Sequence, residues 1–264
     1  MYKLIVSDVD GTLIAEGTSC LNPQLLDYIS DLRKRGIYFA AASGRAHESV
    51  KYAFKPVYKD IYVLSDNGAF IYQNDQILSC RTFQPDQFLQ LVGCLKDIPD
   101  VYVMVSSLEG GFTNSKDEAF INWIETGYGV SLTYDRDLYL PDIHASKLGL
   151  YCVTGDIYEY YEKWKEQFGS IVNVFIAGER WIDLIPKNVN KGKGVEWLQD
   201  HLGVSPSETI VFGDQNNDIT MFSHAARSFA VCNARDDVKA AASDVMDEGA
   251  ENDGVLHVLK NIFG

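Results

Sequence analysis

Two aspartates lie two residues apart near the start of the chain, directly after a short apolar stretch. Asp8 and Asp10 follow residues 3–7, which have the composition of a buried strand, and Gly11 and Thr12 come next. The chain turns here, so we expect the two carboxylates to have separable roles. Gly11 lets the backbone turn, and Thr12 offers a hydroxyl and a backbone N–H to an anion.

Three more polar clusters follow predicted strands or begin a predicted helix. The first cluster is Ser43, Gly44 and Arg45; the second is Lys191; the third is Asp214, Asn217 and Asp218. Open α/β sheets build their sites at the carboxyl ends of their strands, so we expect all four clusters to converge.

The residue types predict a magnesium site beside a phosphate site. Asp214 adds a third carboxylate to Asp8 and Asp10, and clustered carboxylates without a cation repel one another strongly. Oxygen ligands suit a hard divalent ion, which points to Mg²⁺. Lys191, at the start of a helix whose N–H groups favour anions, would supply a point charge for a phosphate.

Each cluster also has a plain structural interpretation. The aspartate turn is also typical of a calcium loop fragment or of a solvated turn, and residues 43–45 are typical of a helix start. Lys191 alone is typical of a solvated basic residue, and Asp218 alone is typical of a helix N-cap. The occurrence of all four in this order, each at a predicted strand end or helix start, favours chemistry.

The hydrophobic pattern predicts an α/β protein with a doubly wound, Rossmann-like parallel-sheet core and an inserted α+β domain. We expect residues 83–183 to form an antiparallel sheet with helices on one face, among them an amphipathic helix over residues 157–168. Residues 1–82 and 184–264 would form the core around this insert. Predicted core strands cover residues 3–7, 37–42, 61–64, 209–212 and 229–231, and predicted core helices include 23–35, 191–202 and 255–262.

Composition excludes several classes of protein. Of 264 residues, 46% are hydrophobic and 23% charged, which are ordinary globular proportions. With 23 Lys and Arg against 37 Asp and Glu, the net charge of −14 makes nucleic acid and anionic membranes poor partners. Five scattered cysteines suggest neither disulfides nor zinc, and no apolar run is long enough to span a membrane. We expect a cytoplasmic protein, a monomer by default, with a weak dimer as the alternative.

The four clusters resemble the motifs of haloacid dehalogenase-like hydrolases of the Cof type, subfamily IIB. The resemblance covers essentially the whole chain and includes the stretch from Asp66 and Asn67 to Gly68 and Ala69. It implies a phosphatase whose inserted segment is a cap domain that decides substrate specificity.

The resemblance also implies residue roles. Asp8 would be the nucleophile and form an aspartyl-phosphate, and Asp10 would be the general acid and base. Mg²⁺ would be bound by Asp8, Asp214 and the backbone carbonyl of Asp10. Phosphate and substrate would be held by Lys191, Gly11, Thr12, Ser43, Gly44, Arg45 and Asn217, with Asn67 in support. Asp218 would orient Lys191 or a metal-bound water. Arg45 would meet a second anionic group of the substrate or pair with a core carboxylate.

Two alternatives stay open at this stage, and the substrate is not determined. A phosphomutase would use the same chemistry, and a non-catalytic sensor would bind a sugar phosphate without turnover. The resemblance implies a small phosphorylated metabolite, with sugar phosphates ahead of nucleotides and pyridoxal phosphate. Residues 109–111 and 179–181 are candidates for substrate contact, with plain hairpin turns as the competing interpretation.

Overall fold

The structure, a computed structural model, describes residues 1–15, 20–128 and 130–264. These residues form two compact units, each described here by itself. The core unit consists of Met1–Cys80 and Asn190–Gly264, and the inserted unit is Arg81–Val189. The inserted segment predicted from the sequence spans residues 83–183.

An eight-stranded sheet organises the core unit. Its strand order is β14-β13-β12-β1-β2-β3-β4-β5, and the six strands from β14 to β3 pair in parallel. The strands are β1 (Leu4–Asp8), β2 (Tyr38–Ala42), β3 (Ile61–Ser65), β4 (Phe70–Gln73), β5 (Gln76–Cys80), β12 (Thr209–Gly213), β13 (Arg227–Ala230) and β14 (Asp244–Val245). The helices are α1 (Pro23–Lys34), α2 (His47–Ala53), α6 (Lys191–Leu202), α7 (Ile219–Phe222), α8 (Asp236–Ala241) and α9 (Gly254–Phe263).

The sheet has the predicted doubly wound, parallel core, and one edge of it carries an antiparallel addition. β4 and β5 form a hairpin that joins β3 in antiparallel pairing. Asn74 and Asp75 connect them with left-handed backbone angles, φ 50° and 61°. Two such residues in a row make a tight turn whose twist suits a hairpin.

The strand order places the candidate residues at one edge of the sheet. β1 lies between β2 and β12, so the strand order runs in opposite directions on the two sides of β1. Ligands of open α/β sheets bind at such a switch point, beyond the carboxyl ends of the strands. Asp8 ends β1, Ser43 follows β2, and Asp214 follows β12.

Local signals fix the two helices that flank these strands. Asn22 caps α1 by accepting a hydrogen bond from the Gln24 N–H at 2.8 Å, with Pro23 as the first helical residue, as predicted. Asn190 caps α6 in the same way through the N–H of Lys193, also at 2.8 Å. The cap of α6 therefore fixes where Lys191 begins the helix.

The inserted unit is built on a six-stranded sheet with the order β10-β11-β9-β6-β7-β8. All pairings are antiparallel except β7 with β8, which are parallel. The elements are α3 (Pro85–Leu95), β6 (Val101–Ser107), β7 (Gly110–Thr113), α4 (Glu118–Tyr128), β8 (Leu132–Tyr134), β9 (Ala145–Cys152), α5 (Ile157–Phe168), β10 (Val172–Ile176) and β11 (Trp181–Pro186).

Two features of the inserted unit differ from the prediction. A helical crossover, α4, joins β7 to β8 and makes that pair parallel, because parallel neighbours require a long connection. The Phe120 ring of α4 packs on Tyr102 and Tyr151, on the sheet face opposite Val103 and its neighbours, so the helices are not confined to one face. Among the described residues, no helix has the length and apolar character required to cross a bilayer.

The main core of the inserted unit depends on Trp164 of α5. Its side chain is fully buried with β6, β9, β11 and α3, and its ring stacks on Tyr160 with centroids 5.1 Å apart. Tyr158, on the same helix, is 66% exposed. The amphipathic pattern that predicted this helix therefore also identifies the side that supports the unit.

We expect Trp164→Ala to destabilise the protein by about 3–5 kcal/mol, because it leaves a cavity in a packed core. Tyr158→Ala in the same helix should change stability by less than about 0.5 kcal/mol. Urea unfolding followed by circular dichroism measures both variants. Equal stability of the two variants would contradict the packing described here.

Candidate active site

A buried ammonium group lies at the centre of the site. The Lys191 side chain is 1% exposed, and its Nζ donates to Oδ1 of Asp8 and, at 2.6 Å, to Oδ1 of Asp218. The start of α6 and the end of β1 bring the lysine and the first carboxylate together from positions far apart in the chain. A buried cation of this kind is stable only with such charge partners.

Asp218 is the second hydrogen-bond partner of this lysine. Its second carboxylate oxygen, Oδ2, accepts the backbone N–H groups of Asp214 and Gln215, both at 2.9 Å. Its side chain makes no capping hydrogen bond to α7. Of the two interpretations of Asp218, contact with Lys191 is therefore present and the helix cap is not.

The carboxylates of Asp8 and Asp214 lie close together beside the turn after β1. Oδ2 of Asp8 is buried and has no hydrogen-bond partner among the residues that the structure describes. Asp214 accepts the Thr12 hydroxyl at 2.9 Å and the Gln215 side-chain amide at 3.0 Å. Gly11 has φ +83°, and a Cβ there would lie 2.4 Å from Oδ2 of Asp214, so the turn requires glycine.

Burial is the largest single influence on the pKa values of these groups. Burial raises the pKa of Asp8 well above its usual range, against the nearby charge of Lys191. Burial likewise raises the pKa of Asp214, although the Thr12 hydrogen bond opposes it. For Lys191, burial lowers the pKa, but the carboxylates of Asp218 and Asp8 outweigh it and hold the pKa above the ordinary value.

The donor set fits a hard divalent cation. Asp8, Asp214 and Asp218 each offer a carboxylate oxygen, and these atoms lie within 4.8 Å of one another. Three ionised carboxylates and one lysine carry −3 + 1 = −2, the charge that one divalent cation would cancel. Asp218 is held by the Lys191 ammonium and by two backbone N–H groups. Asp214 accepts only a side-chain hydroxyl and a side-chain amide, which can rotate away, so Asp214 is the better second ligand beside Asp8.

Asp10 points away from this cluster and pairs with Arg45. The Asp10 side chain is half exposed, and both of its oxygens bind the guanidinium of Arg45, one of them from Nε at 2.8 Å. Paired N–H donors of this kind fix the plane of a carboxylate. Of the two roles considered for Arg45, the structure contains the pairing with a core carboxylate.

The remaining predicted phosphate ligands lie on neighbouring loops of the core unit. Ser43 is fully buried, and its Oγ accepts the N–H of Arg45 at 3.0 Å. Asn217 is exposed and donates its side-chain amide to Oδ1 of Asn67 at 2.9 Å. Gly44 lies beside Asn67, since a Cβ on Gly44 would be 3.4 Å from the same Oδ1 atom.

The two candidate segments of the inserted unit both have structural contacts. Glu109 accepts the backbone N–H of His144 at 3.0 Å and contacts the His144 ring at 2.6 Å. Arg180 donates to the backbone oxygens of Val153 and, at 3.4 Å, Cys152. Trp181 begins β11. These contacts agree with the turn interpretation of both segments.

Sequence reasoning missed two residues that support the site. Gln215 ties the loop after β12 to the carboxylate of Asp214, and Asn190 caps the helix that begins with Lys191. Asn190 has a recognisable signal, because asparagine before a helical pattern is a typical N-cap. Gln215 has none, since a glutamine in a polar loop is usually solvated.

Known proteins match this chain over nearly its whole length. Residues 5–259 match the model of a family described as haloacid dehalogenase-like hydrolase. The chain is also similar to a 5-amino-6-(5-phospho-D-ribitylamino)uracil phosphatase of Escherichia coli strain K12. The two are 29% identical over 263 residues, which cover 99% of this chain and 96% of that protein.

Solved structures share the fold over their whole length. A crystal structure from Eubacterium rectale matches with a TM-score of 0.93 and 26% identity, covering 99% of both chains. A second, from Thermotoga maritima, matches with a TM-score of 0.87 and 25% identity, covering 100% of this chain and 98% of the other. The chain belongs to the haloacid dehalogenase-like hydrolases, and it is a phosphatase.

Proposed function

We propose that this phosphatase hydrolyses phosphomonoesters of small metabolites through a phosphorylated Asp8, with sugar phosphates as the preferred class of substrate. The observation that carries the proposal is the hydrogen bonding of the two Asp8 carboxylate oxygens. One oxygen is held by Lys191, and the other is buried without a hydrogen-bond partner among the described residues. A carboxylate that is anchored and yet has a spare oxygen suits nucleophilic attack.

In the first step, an oxygen of Asp8 attacks phosphorus. The new bond joins Asp8 to phosphorus, and the bond between phosphorus and the alcohol oxygen breaks. Asp10 gives a proton to the departing alcohol. Before the substrate arrives, both carboxyl oxygens of Asp10 accept hydrogen bonds from Arg45, so one of them must leave Arg45 for Asp10 to carry the proton.

In the second step, water attacks phosphorus of the aspartyl-phosphate. Asp10 takes a proton from this water, the bond between phosphorus and Asp8 breaks, and inorganic phosphate leaves. The same residue therefore acts first as an acid and then as a base.

Charge complementarity makes both steps possible. Asp8, Asp214 and the backbone carbonyl of Asp10 would hold Mg²⁺, whose positive charge lets an anionic nucleophile approach an anionic ester. Lys191, Ser43 and Asn217, with the backbone N–H groups near Gly11 and Thr12, would bind the phosphoryl oxygens. Asp218 would keep the lysine in place for this role.

We assign the choice of substrate to the inserted unit. The E. coli relative acts, by its name, on a phosphorylated ribityl compound, which supports a phosphate on a small polyhydroxylated chain. A phosphate-release screen over phosphorylated metabolites with Mg²⁺ tests this assignment. Release without any acceptor sugar supports a hydrolase, and dependence on a second sugar would indicate a mutase.

We expect Asp8→Asn to lower the rate of phosphate release at least about a thousandfold, because a neutral amide is a poor nucleophile. Asp237→Asn is the matched control, since Asp237 pairs with Arg235 at the surface. The control should stay within about twofold of the original rate. A folded Asp8→Asn variant with normal turnover would refute the assignment.

We expect Mg²⁺ to stabilise the protein as well as to activate it. At a hundred times its dissociation constant, a ligand that binds the folded state adds about 2.7 kcal/mol, so thermal unfolding after EDTA treatment should shift upward when Mg²⁺ returns. Asp214→Asn should lose most of this shift, and Asp237→Asn should keep it. An unchanged melting temperature in the original protein would remove the cation from this site.

A further inference from the structure

The backbone after β3 has an unusual conformation. Asp66, Asn67 and Gly68 follow one another with φ of 49°, 57° and 86°. Residues other than glycine rarely take left-handed angles, which cost on the order of 1–3 kcal/mol each and persist only where the surroundings enforce them. The contacts of this segment must therefore hold it in place.

Two backbone hydrogen bonds tie the segment to the loop after β2. The N–H of Asp66 donates to the carbonyl of Arg45, and the N–H of Asn67 donates to the carbonyl of Ser43, both at 2.9 Å. The left-handed angles aim both N–H groups at this loop, which contains the proposed phosphate ligands Ser43 and Arg45.

The same segment packs on the start of α6. A Cβ on Gly68 would lie 2.8 Å from the backbone oxygen of Asn190 and 3.4 Å from Cα of Gly194. Asn190 caps the helix that begins with Lys191. The segment is thus fixed against two of the loops that form the site.

The side chain of Asn67 reaches the third loop. Its Oδ1 accepts a hydrogen bond from the Asn217 side-chain amide at 2.9 Å. The amide group of Asn67 also lies beside Gly44. Asn217 is otherwise exposed on the loop after β12. Without this contact, the exposed Asn217 side chain would keep its rotamer freedom until phosphate binds. The loss of that freedom on binding would then lower the affinity for phosphate.

We propose that Asn67 is a positioning residue, whose side chain orients the Asn217 amide for the phosphoryl group before the substrate binds. The inference rests on the proposed function, in which Asn217 binds a phosphoryl oxygen. The left-handed backbone of residues 66–68 is the device that places the Asn67 amide between the loops after β2 and β12.

The test compares Asn67→Gly, Asn217→Ala and the double variant in the full-length protein with Mg²⁺. Glycine removes the amide and keeps the left-handed backbone without strain. Asn74→Gly is the matched control, because Asn74 is exposed in the β4–β5 turn and has φ 50°. Calorimetric titration with inorganic phosphate gives each dissociation constant, and steady-state kinetics give KM and kcat.

We expect Asn67→Gly to weaken phosphate binding about tenfold and to raise KM by a similar factor. The double variant should bind no more weakly than Asn217→Ala alone, because Asn67 acts through Asn217. Asn74→Gly should bind phosphate as the original protein does.

Two results would overturn the inference. One is unchanged phosphate affinity in Asn67→Gly, and the other is a loss in the double variant equal to the product of the two single losses. Failure of the proposed function has a different signature: the original protein would neither bind phosphate nor release it from any ester.

Discussion

The burial of one ammonium group between two carboxylates is the interaction on which the site depends. Lys191 is almost fully enclosed, and its charge is stable there only because Asp8 and Asp218 accept its hydrogen bonds. Asp218 accepts one hydrogen bond from the lysine, Asp8 accepts another, and the second oxygen of Asp8 accepts none among the described residues. With Asp214 nearby, the cluster has an excess of negative charge that favours a cation. Removal of either carboxylate would therefore disturb nucleophile, lysine and cation site together.

The fold serves this charge cluster by bringing together loops that are distant in sequence. The ends of β1, β2, β3 and β12 and the start of α6 each supply residues to the site. Short-range devices then set each side chain: the asparagine cap of α6, the glycine turn beside Asp214, and the left-handed residues after β3. The overall charge of −14 would repel phosphate esters, so binding depends on this local arrangement.

Much of the fold was predictable from sequence because its signals are local. Pro23 after Asn22 predicts the start of α1, and the apolar face of residues 157–168 predicts α5; the structure confirms both helices. The β4–β5 hairpin was missed because Asn74 and Asp75 lack the glycine that usually marks such a turn. Lys191 shows the limit for the site: a lysine in a polar loop is normally solvated, and only the tertiary contacts with Asp8 and Asp218 reveal a buried one.

The central claim is that Asp8 carries the phosphoryl group during turnover, and chemical trapping tests it most directly. Borohydride added to the enzyme during turnover of a phosphomonoester would reduce an aspartyl-phosphate to homoserine, which peptide mass spectrometry can locate. The account predicts homoserine at position 8, only when Mg²⁺ and substrate are both present. Rapid phosphate release with an unmodified Asp8, or with the modification on another carboxylate, would contradict it.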